Sequence, residues 1–417
     1  MVVAVVAVAV VAVVPAVAQR SVLGQLTDGR LEGADYWTDT PEILSAGFGF
    51  DGIIGLSTLD EETVRAAGGT WYGSLTCAGG EEPGIAQRTS AVATEGIGGG
   101  FVIADGAEIA GVDGTPVVFS WPVATDTVDP TDFRFTLNTG EVRVPDAAGM
   151  LPNWELNERN TVVMFGDLGN RGTSADPDGV HPVRLDIVDD GTPLTLVGPQ
   201  GDVSAVGLSW ATDRTSYDAG PVLVGAKLNH VDEQPRGEAG VPRITEDAMP
   251  NDEGALYDEG DFRLRMLTSG GFSPNGVSGV RPDQFEEFFR IHATGPDGAT
   301  VLIEEVGRTY EVAGGGLRVV GLSDLGRVTD PGGGVVYDDC YAEDRDNYLD
   351  VIIVGDEAAA RSITDLEIPA LPGGYSPFYN PGGPGPEPFP GVTYSAPGPP
   401  DVEPVVIALD DPMRVDR

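Results

Sequence analysis

Basic side chains are scarce in this chain. Its 417 residues include 24 lysines and arginines against 66 aspartates and glutamates, which gives a formal net charge of -42. Lys227 is the only lysine. Binding to a phosphate backbone requires clustered lysine and arginine, and the sequence shows no such cluster. The composition therefore predicts no nucleic-acid partner and disfavours an anionic membrane surface.

Cysteine and histidine are rare as well. Cys77 and Cys340 are the only cysteines, and they do not provide the paired Cys or Cys/His spacing that a zinc site needs. In an oxidising compartment the two thiols could form one long-range disulfide. His181, His230 and His292 each stand without a cluster of partner residues, so we interpret all three as structural or surface residues.

Sequence motifs for hydrolysis are missing. The chain has no His-Glu-x-x-His and no Gly-x-Ser-x-Gly, the nearest approach to the latter being residues 271–275. Acidic residues are so frequent that the sequence cannot single out a pair of glycosidase carboxylates, although such a pair on facing strands stays an alternative. A secreted hydrolase acting on carbohydrate is therefore the second hypothesis for function.

The segment 1–18 is made almost entirely of alanine and valine, with Pro15 near its end. Ala16 and Ala18 precede Gln19 in the small-residue pattern of a signal-peptidase site. No positive residue precedes the apolar run, and a permanent membrane anchor is the alternative, but the run is shorter than a typical span. We predict a signal peptide at 1–18, a secreted or cell-surface protein, and no membrane span in the mature chain.

Short β-rich runs separated by turn residues dominate the segment 115–171. Phe133, Phe135 and Leu137 alternate with polar residues, which is typical of a strand with one buried face. Similar runs occur at 117–119, 141–144 and 161–165. Strands at this spacing, with few helical segments between them, predict an all-β fold built as an antiparallel sandwich.

The sequence PVVFSWPV at 116–123, followed by TVDPTDFRFT at 127–136, carries a family resemblance. It resembles the bacterial Ig-like modules of surface-layer and other exported proteins, in which an FS-x-PV strand leads into a D-x-x-x-F-x-V/F strand. The resemblance covers about forty residues, and the loop at 151–160 is longer and more polar than the family pattern. It implies an Ig-like sandwich with a structural or adhesive role outside the cell, without catalysis.

Three short sequence matches indicate a second copy of this module. The first pairs 129–133 with 281–285, the second pairs 166–171 with 323–327, and the third pairs 185–188 with 349–352. The matches follow in the same order with slowly growing offsets, which favours duplication followed by loop insertions. The sequence therefore predicts two tandem Ig-like antiparallel β-sandwich modules.

Two short helices are predicted outside the strands. The segment 60–67 has acidic residues in its first turn and a glycine after its end. The segment 282–290 places Phe285, Phe288 and Phe289 on one face, which we interpret as part of a hydrophobic core.

Changes in composition predict the domain boundaries. Glycine-rich turns fill the N-terminal region, and proline and glycine dominate after residue 370, where we expect an extended or disordered chain with one last strand at 405–409. The predicted parts are a signal peptide (1–18), a Gly-rich β-leaning region (19–110), the first sandwich (111–220), a strand with an acidic linker (221–260), the second sandwich (261–370) and a Pro/Gly-rich tail (371–417).

The abundant carboxylates have two possible explanations. One is a solvated surface suited to a saline habitat or to solubility, and the other is a set of oxygen ligands for a hard cation. Asp344, Asp346, Asn347 and Asp350 place several hard oxygens in one short loop, so they are the predicted calcium ligands. The loop lacks the glycine and glutamate positions of an EF-hand, and a solvated acidic turn neutralised by Arg345 is the alternative.

Together these observations favour an exported, non-enzymatic structural or binding protein at the cell surface or outside the cell, with calcium as a possible stabilising ion. Its partner would be an extracellular protein or glycan whose identity the sequence does not specify. The carbohydrate-active hydrolase described above is the alternative.

Overall fold

The computed structural model describes most of the chain between residues 31 and 415. The described residues are 31, 33–46, 50–66, 71–73, 75–76, 88–89, 92–93, 112–150, 157–169, 179–213, 223–231, 257–272, 279–323, 337–338, 347–370 and 401–415. The predicted signal peptide, both cysteines and most of the Pro/Gly-rich tail lie outside them.

The prediction of an all-β fold is confirmed, because strands in mainly antiparallel sheets make up most of the regular structure. Sheet I has the strand order β4 (Val92–Ala93), β3 (Phe50–Leu56), β5 (Val112–Phe119), β9 (Thr161–Gly166) and β8 (Ala147–Gly149), with β2 (Ile43–Ala46) also paired to β5. Sheet II has the order β13 (Ser209–Ala211), β10 (Pro182–Ile187), β6 (Phe133–Leu137) and β7 (Val142–Arg143).

Sheets I and II enclose one hydrophobic core, and we call this unit sandwich 1. Phe119 of β5, Phe135 of β6 and Leu185 of β10 are all buried in the same cluster. The buried–exposed alternation along β6 is the pattern that its sequence predicted. A hairpin of β11 (Thr195–Gly198) and β12 (Gly201–Ser204) adds Leu196 to this core.

One turn of 3-10 helix, Pro130–Asp132, immediately precedes β6. The Asp129 side chain accepts a hydrogen bond from the backbone of Thr131, and the Asp132 side chain accepts one from the backbone of Asp129. Proline fits the first position of such a turn because it has no N–H to leave unpaired. The Asp-Pro-Thr-Asp sequence therefore ends the preceding loop and directs the chain into the sheet.

The second half of the chain forms sandwich 2 from two further sheets. Sheet III has the order β18 (Tyr310–Val312), β19 (Gly315–Ser323), β20 (Tyr348–Gly355), β15 (Phe262–Thr268), β14 (Leu223–His230) and β23 (Val406–Ile407), the last parallel to β14. Sheet IV has the order β17 (Thr300–Ile303), β16 (Arg290–Thr294), β21 (Ile363–Ile368) and β22 (Asp401–Pro404). Their facing side chains, such as Leu264 and Leu366, share one core.

The helices are short. The helix predicted at 60–67 is present as α1 (Glu61–Ala66), where Asp60 Oδ1 accepts a hydrogen bond of 2.8 Å from the backbone N–H of Thr63. The helix predicted at 282–290 is too long. Only the turn α2 (Phe285–Phe288) is helical, because Phe289 is extended and leads into β16, while the three phenylalanines are buried as expected. A last turn, α3 (Glu357–Ala360), joins β20 to β21.

The sheets extend across the predicted domain boundaries. Strands β2, β3 and β4 come from the predicted N-terminal region and lie in sheet I. Strand β14 comes from the predicted linker region and lies in sheet III. The segment 401–415 adds β22 to sheet IV and β23 to sheet III, and its end, β24 (Arg414–Val415), pairs with β1 (Ala34–Asp35). The strand predicted at 405–409 corresponds to β23.

The two sandwiches have the same strand order. In sheet I the order β3–β5–β9–β8 matches β14–β15–β20–β19 in sheet III, and in sheet II the order β13–β10–β6–β7 matches β22–β21–β16–β17 in sheet IV. Six successive strands of sandwich 1, β5 to β10, thus have counterparts in the same chain order in sandwich 2, where β18 is an additional strand.

Only one of the three sequence matches lies at corresponding places in the two sandwiches. Residues 129–133 lead into β6 and residues 281–285 lead into β16, its counterpart. The second match follows β9 in one copy but β19 in the other, and the third lies on β10 in one copy but on β20 in the other. Short apolar and turn patterns recur in many strands, so they align easily out of register.

Among the residues that the structure describes, none belongs to a helix with the length and apolar composition needed to cross a membrane.

Candidate functional site

The outer face of sheet III is polar although it is buried. Along β15, Leu264 and Met266 lie in the core of sandwich 2, and the alternation of a strand places Arg263 and Arg265 on the opposite face. Strand β20 adds Asp350 to this face, and β14 adds Lys227. Three neighbouring strands therefore carry charged side chains away from their own core.

The two-stranded pair β1–β24 covers this face. Asp35 of β1 contacts the Nζ atom of Lys227 and accepts a hydrogen bond of 3.2 Å from Nη1 of Arg265. The Nε atom of Arg414, on β24, lies 3.6 Å from Asp35 Oδ1. We call the six residues Asp35, Lys227, Arg263, Arg265, Asp350 and Arg414 the ionic cluster.

Arg265 connects the two acids of the ionic cluster. Its Nε and Nη2 atoms donate to the two carboxylate oxygens of Asp350 at 2.8 and 2.9 Å, in the paired geometry that a guanidinium group favours. Its remaining Nη1 atom donates to Asp35. Arg263 adds a contact of 3.3 Å to Asp350. The side chains of Lys227, Arg265 and Asp35 have no solvent exposure.

Burial and the charges of neighbouring residues shift the pKa values of these groups. Burial lowers the pKa of Lys227 to about 8, and the attraction of Asp35 opposes part of that shift. Burial alone would raise the pKa of Asp35, but the attraction of Lys227 and the arginines outweighs it and lowers the pKa. Burial and the neighbouring Arg265 lower the pKa of Arg263 to about 10. The cluster is therefore a mutually dependent set of buried charges.

Backbone carbonyl groups hold the same lysine. The Nζ atom of Lys227 donates to the carbonyl oxygen of Met413 at 2.8 Å and lies 5.2 Å from the centre of the Trp37 ring. Asn229, one pleat further along β14, donates to the carbonyl oxygens of Ala408 and Pro412 at 3.1 Å each. Strand β14 thus holds the C-terminal segment across the outer face of sheet III.

The same outer face joins the two sandwiches. Val118 of sandwich 1 and Leu267 and Tyr348 of sandwich 2 form one buried apolar cluster with Trp37. We call this contact the sandwich interface. The backbone N–H of Trp37 donates to the carbonyl oxygen of Ser120 at 2.8 Å, so the β1 segment is attached to both halves.

Two side-chain hydrogen bonds cross the sandwich interface. The hydroxyl group of Tyr348 donates to Asn160 Oδ1 at 2.9 Å, and Nδ2 of Asn347 donates to the hydroxyl oxygen of Thr161 at 3.0 Å. All four residues are buried. Buried polar side chains that pair across a contact fix its register, because any shift would leave them unsatisfied.

The structure describes two of the four predicted calcium ligands, Asn347 and Asp350. Asp344 and Asp346 lie outside the described residues. Asn347 is directed at Thr161 across the sandwich interface, and both oxygens of Asp350 bind Arg265. Within the described part of the chain, no group of three or more acidic, histidine or cysteine side chains is placed to hold a metal ion. Calcium binding by this loop stays a prediction.

The histidines are found on strands or at strand ends. His292 of β16 is partly buried, and its Nε2 atom lies 2.5 Å from a carboxylate oxygen of Glu367 on β21. His230 lies beside the ring of Phe262, with 5.4 Å between ring centres. The backbone N–H of His181 donates to the side chain of Asn138.

The ionic cluster was missed from the sequence, because one signal was overlooked and another indicated a solvent-exposed face. Lys227 is the only lysine, and it lies in the part that was predicted to be a strand with an acidic linker, 221–260. Arg263 and Arg265 alternate with apolar residues, a pattern that normally indicates a solvent-exposed face. Nothing in the local sequence shows that a second layer covers this face.

Comparisons of the chain with protein-family models, with curated proteins and with solved structures found no match.

Proposed function

We propose that this chain is an exported, non-enzymatic structural protein of the cell surface or extracellular space, in which two Ig-like modules act as one rigid unit. The observation that carries the structural part of the proposal, the rigid unit, is the sandwich interface. Its apolar contacts, crossing hydrogen bonds and adjoining ionic cluster are buried, so bending between the sandwiches would expose all of them at once.

The shared strand order of the two sandwiches supports duplication of one module. Repeated β-sandwich modules are a common way to build extended proteins outside the cell, because each module has its own core and presents loops at its ends. The cores here are separate, one between sheets I and II and the other between sheets III and IV. A binding role would then belong to the surface loops rather than to either core.

The charge distribution supports a well-hydrated structural protein rather than one that binds nucleic acid or an anionic membrane. The chain has 66 acids, and basic residues such as Lys227 and Arg265 are used inside the protein. A strongly acidic surface keeps a protein hydrated and separate from its neighbours at high salt. The expected partner is an extracellular protein or a glycan that tolerates an anionic surface.

The location of the protein in the cells that produce it tests this proposal. Cells are separated into cytoplasmic, membrane, surface and culture-medium fractions, and intact cells are treated with an added protease before the chain is detected by antibody. We expect the chain in the surface or medium fraction and accessible to the protease. A chain found with a cytoplasmic marker and protected from the protease would contradict the proposal.

Rigidity is tested separately by small-angle X-ray scattering of the purified chain. One rigid arrangement of the two sandwiches predicts a scattering curve that a single conformation fits over a range of salt concentrations. A curve that requires a broad mixture of inter-sandwich angles would contradict a rigid unit.

A further inference from the structure

The C-terminal segment, residues 401–415, takes its structure from contacts with distant parts of the chain. Strand β22 pairs with β21 in sheet IV, β23 lies parallel to β14 in sheet III, and β24 pairs with β1. Leu409 is buried in the core of sandwich 2, and Arg361 donates to both carboxylate oxygens of Asp410 at 2.9 and 2.8 Å. Without this segment, β21 and β14 would be edge strands with unpaired backbone groups.

The connection that leads to β22 differs from its counterpart in sandwich 1, where β13 has the place of β22. The chain reaches β13 from β10 through the hairpin β11–β12, and Leu194, Leu196 and Ala205 anchor that stretch in the core. The corresponding connection in sandwich 2 is the stretch 371–400, where 10 of 30 residues are proline and 7 are glycine. Proline provides no N–H group for a sheet ladder, so this sequence predicts no second anchored hairpin.

This connection is much longer than the distance between the strands that it joins. Ile368 lies opposite Asp401 on the adjacent antiparallel strand, where paired Cα atoms are about 5 Å apart. A chain as long as the connection can extend to about 100 Å, which is enough to reach a neighbouring copy. Because the entropy cost of closing a loop rises with its length, a long connection also reduces the advantage that a copy's own segment has over a neighbour's.

We propose that two copies of this chain exchange their C-terminal segments, each segment binding to sandwich 2 and β1 of the other copy. The exchange breaks and forms no covalent bond. It keeps every contact of the segment, because the same residues meet in the same register, only on different copies. The equilibrium therefore depends on the protein concentration relative to the effective concentration of a copy's own segment, which is on the order of millimolar for flexible connections.

The binding surface is specific for this segment, which is why the partner is a second copy of the chain. Asn229 donates to the carbonyl oxygens of both Ala408 and Pro412. The carbonyl oxygen of Met413 accepts a hydrogen bond of 3.0 Å from the backbone N–H of Tyr36. In the described part of the chain, Met413 is the one non-glycine residue with a positive φ, 51°. A regular β-strand of another protein has no such turn, so it cannot make the same set of contacts.

Disulfide trapping between copies tests the exchange. Glu367 of β21 lies opposite Val402 of β22, and the neighbouring Leu366 is directed into the core, so the pair lies on the outer face of sheet IV. Two full-length variants without the native cysteines, one with Glu367→Cys and the other with Val402→Cys, are mixed at about 1 mM and oxidised. We expect a disulfide between residue 367 of one copy and residue 402 of the other, identified by mass spectrometry of tryptic peptides.

Val142→Cys is the matched control for Val402→Cys. Val142 is also an exposed valine on an edge strand, but its strand β7 belongs to sheet II and does not pair with β21. A mixture of Val142→Cys with Glu367→Cys is therefore expected to give only the background of random collisions. Absence of the disulfide between residues 367 and 402, or a yield no higher than in this control, would overturn the proposal.

A shortened connection provides a second test. Replacing residues 371–400 with two glycines leaves a loop of about four residues, which suits a hairpin within one copy. This variant should be a monomer in light scattering at concentrations where the wild-type chain forms dimers, and a dimer that persists in it would contradict the exchange. Disulfide trapping uses the native connection, so it decides the question whether or not the shortened variant folds. Neither result depends on where the protein is located.

Discussion

The indole ring of Trp37 lies directly against the backbone of Gly225, at the place where any other residue would carry its side chain. A Cβ atom built on Gly225 would lie 2.6 Å from Cε3 of the ring. The ring is buried in the sandwich interface and near the Lys227 amine, so it cannot move away without disturbing both. Glycine at this position therefore allows the N-terminal segment to pack on sheet III.

Gly225→Ala is expected to lower the free energy of unfolding by about 1–3 kcal/mol, because a methyl group would overpack the contact with Trp37. Denaturant titration followed by tryptophan fluorescence measures the change. Gly73→Ala is the matched control, because a Cβ atom there meets nothing within 4 Å. Equal stability of Gly225→Ala and Gly73→Ala would show that Trp37 is not held where the structure places it.

Tyr348→Phe is expected to lower the free energy of unfolding by about 1–2 kcal/mol. The change removes the 2.9 Å hydrogen bond to Asn160 and leaves Oδ1 of that buried side chain without this donor, while the apolar part of the ring is kept.

Calorimetry should still show one unfolding transition, because the two sandwiches share the interface. Two separated transitions in the wild-type chain would contradict a single rigid unit.

Asp132→Asn is expected to change how stability depends on pH. Burial raises the pKa of Asp132 to about 6, so the folded chain binds a proton that the unfolded chain has lost. Its contribution to stability is greatest below the unfolded pKa, near 4, and is lost as the pH rises through about 6. Between pH 4 and pH 7–8 the stability of the variant relative to wild type should therefore rise by about 1–2 kcal/mol. This change adds to a loss that does not vary with pH, because both carboxylate oxygens of Asp132 accept backbone hydrogen bonds and an amide can replace only one of them. A difference that does not vary with pH would contradict this prediction.

Asp350→Asn is expected to destabilise the chain by about 3–5 kcal/mol, equally in calcium and in EDTA. The reason is that its two oxygens bind Arg265, which would be left as a buried charge with a weaker partner. Asp346→Asn is the control for the predicted calcium loop, and thermal melts of both variants at low salt measure the effect. If calcium stabilises the wild type and Asp350→Asn abolishes only that gain, Asp350 is a ligand and the prediction is wrong.

Local pattern was enough to predict the class of fold and several of its elements. Alternating apolar residues predicted β6, and the acidic first turn predicted α1, because these signals act within a few residues of each other. The phenylalanines near 285–289 were correctly interpreted as core. Their helix was predicted too long because helical spacing over five residues does not distinguish a single turn from a longer helix.

The ionic cluster could not be predicted because its members come from five strands. Asp35 and Lys227 are 192 residues apart, and Asp35 and Arg265 are 230 apart. In the sequence, Asp350 belongs to an acidic run that favours a metal ligand, and only the register of β15 against β20 places Arg265 opposite it. Whether a polar face is buried depends on the segments that pack on it, and the sequence of one strand does not identify those segments.

The pairing of β1 with β24 has a consequence for biosynthesis. Ala34 lies opposite Val415, so the ribosome adds 415 − 34 = 381 residues between the synthesis of one neighbour and that of the other. Until β24 has been synthesised, the β1–β24 pair that covers the charged face of sheet III cannot form, and this part of the native structure stays incomplete. The pairing of β1 with β24 is therefore a contact of very large sequence separation, and such contacts form more slowly than local hairpins.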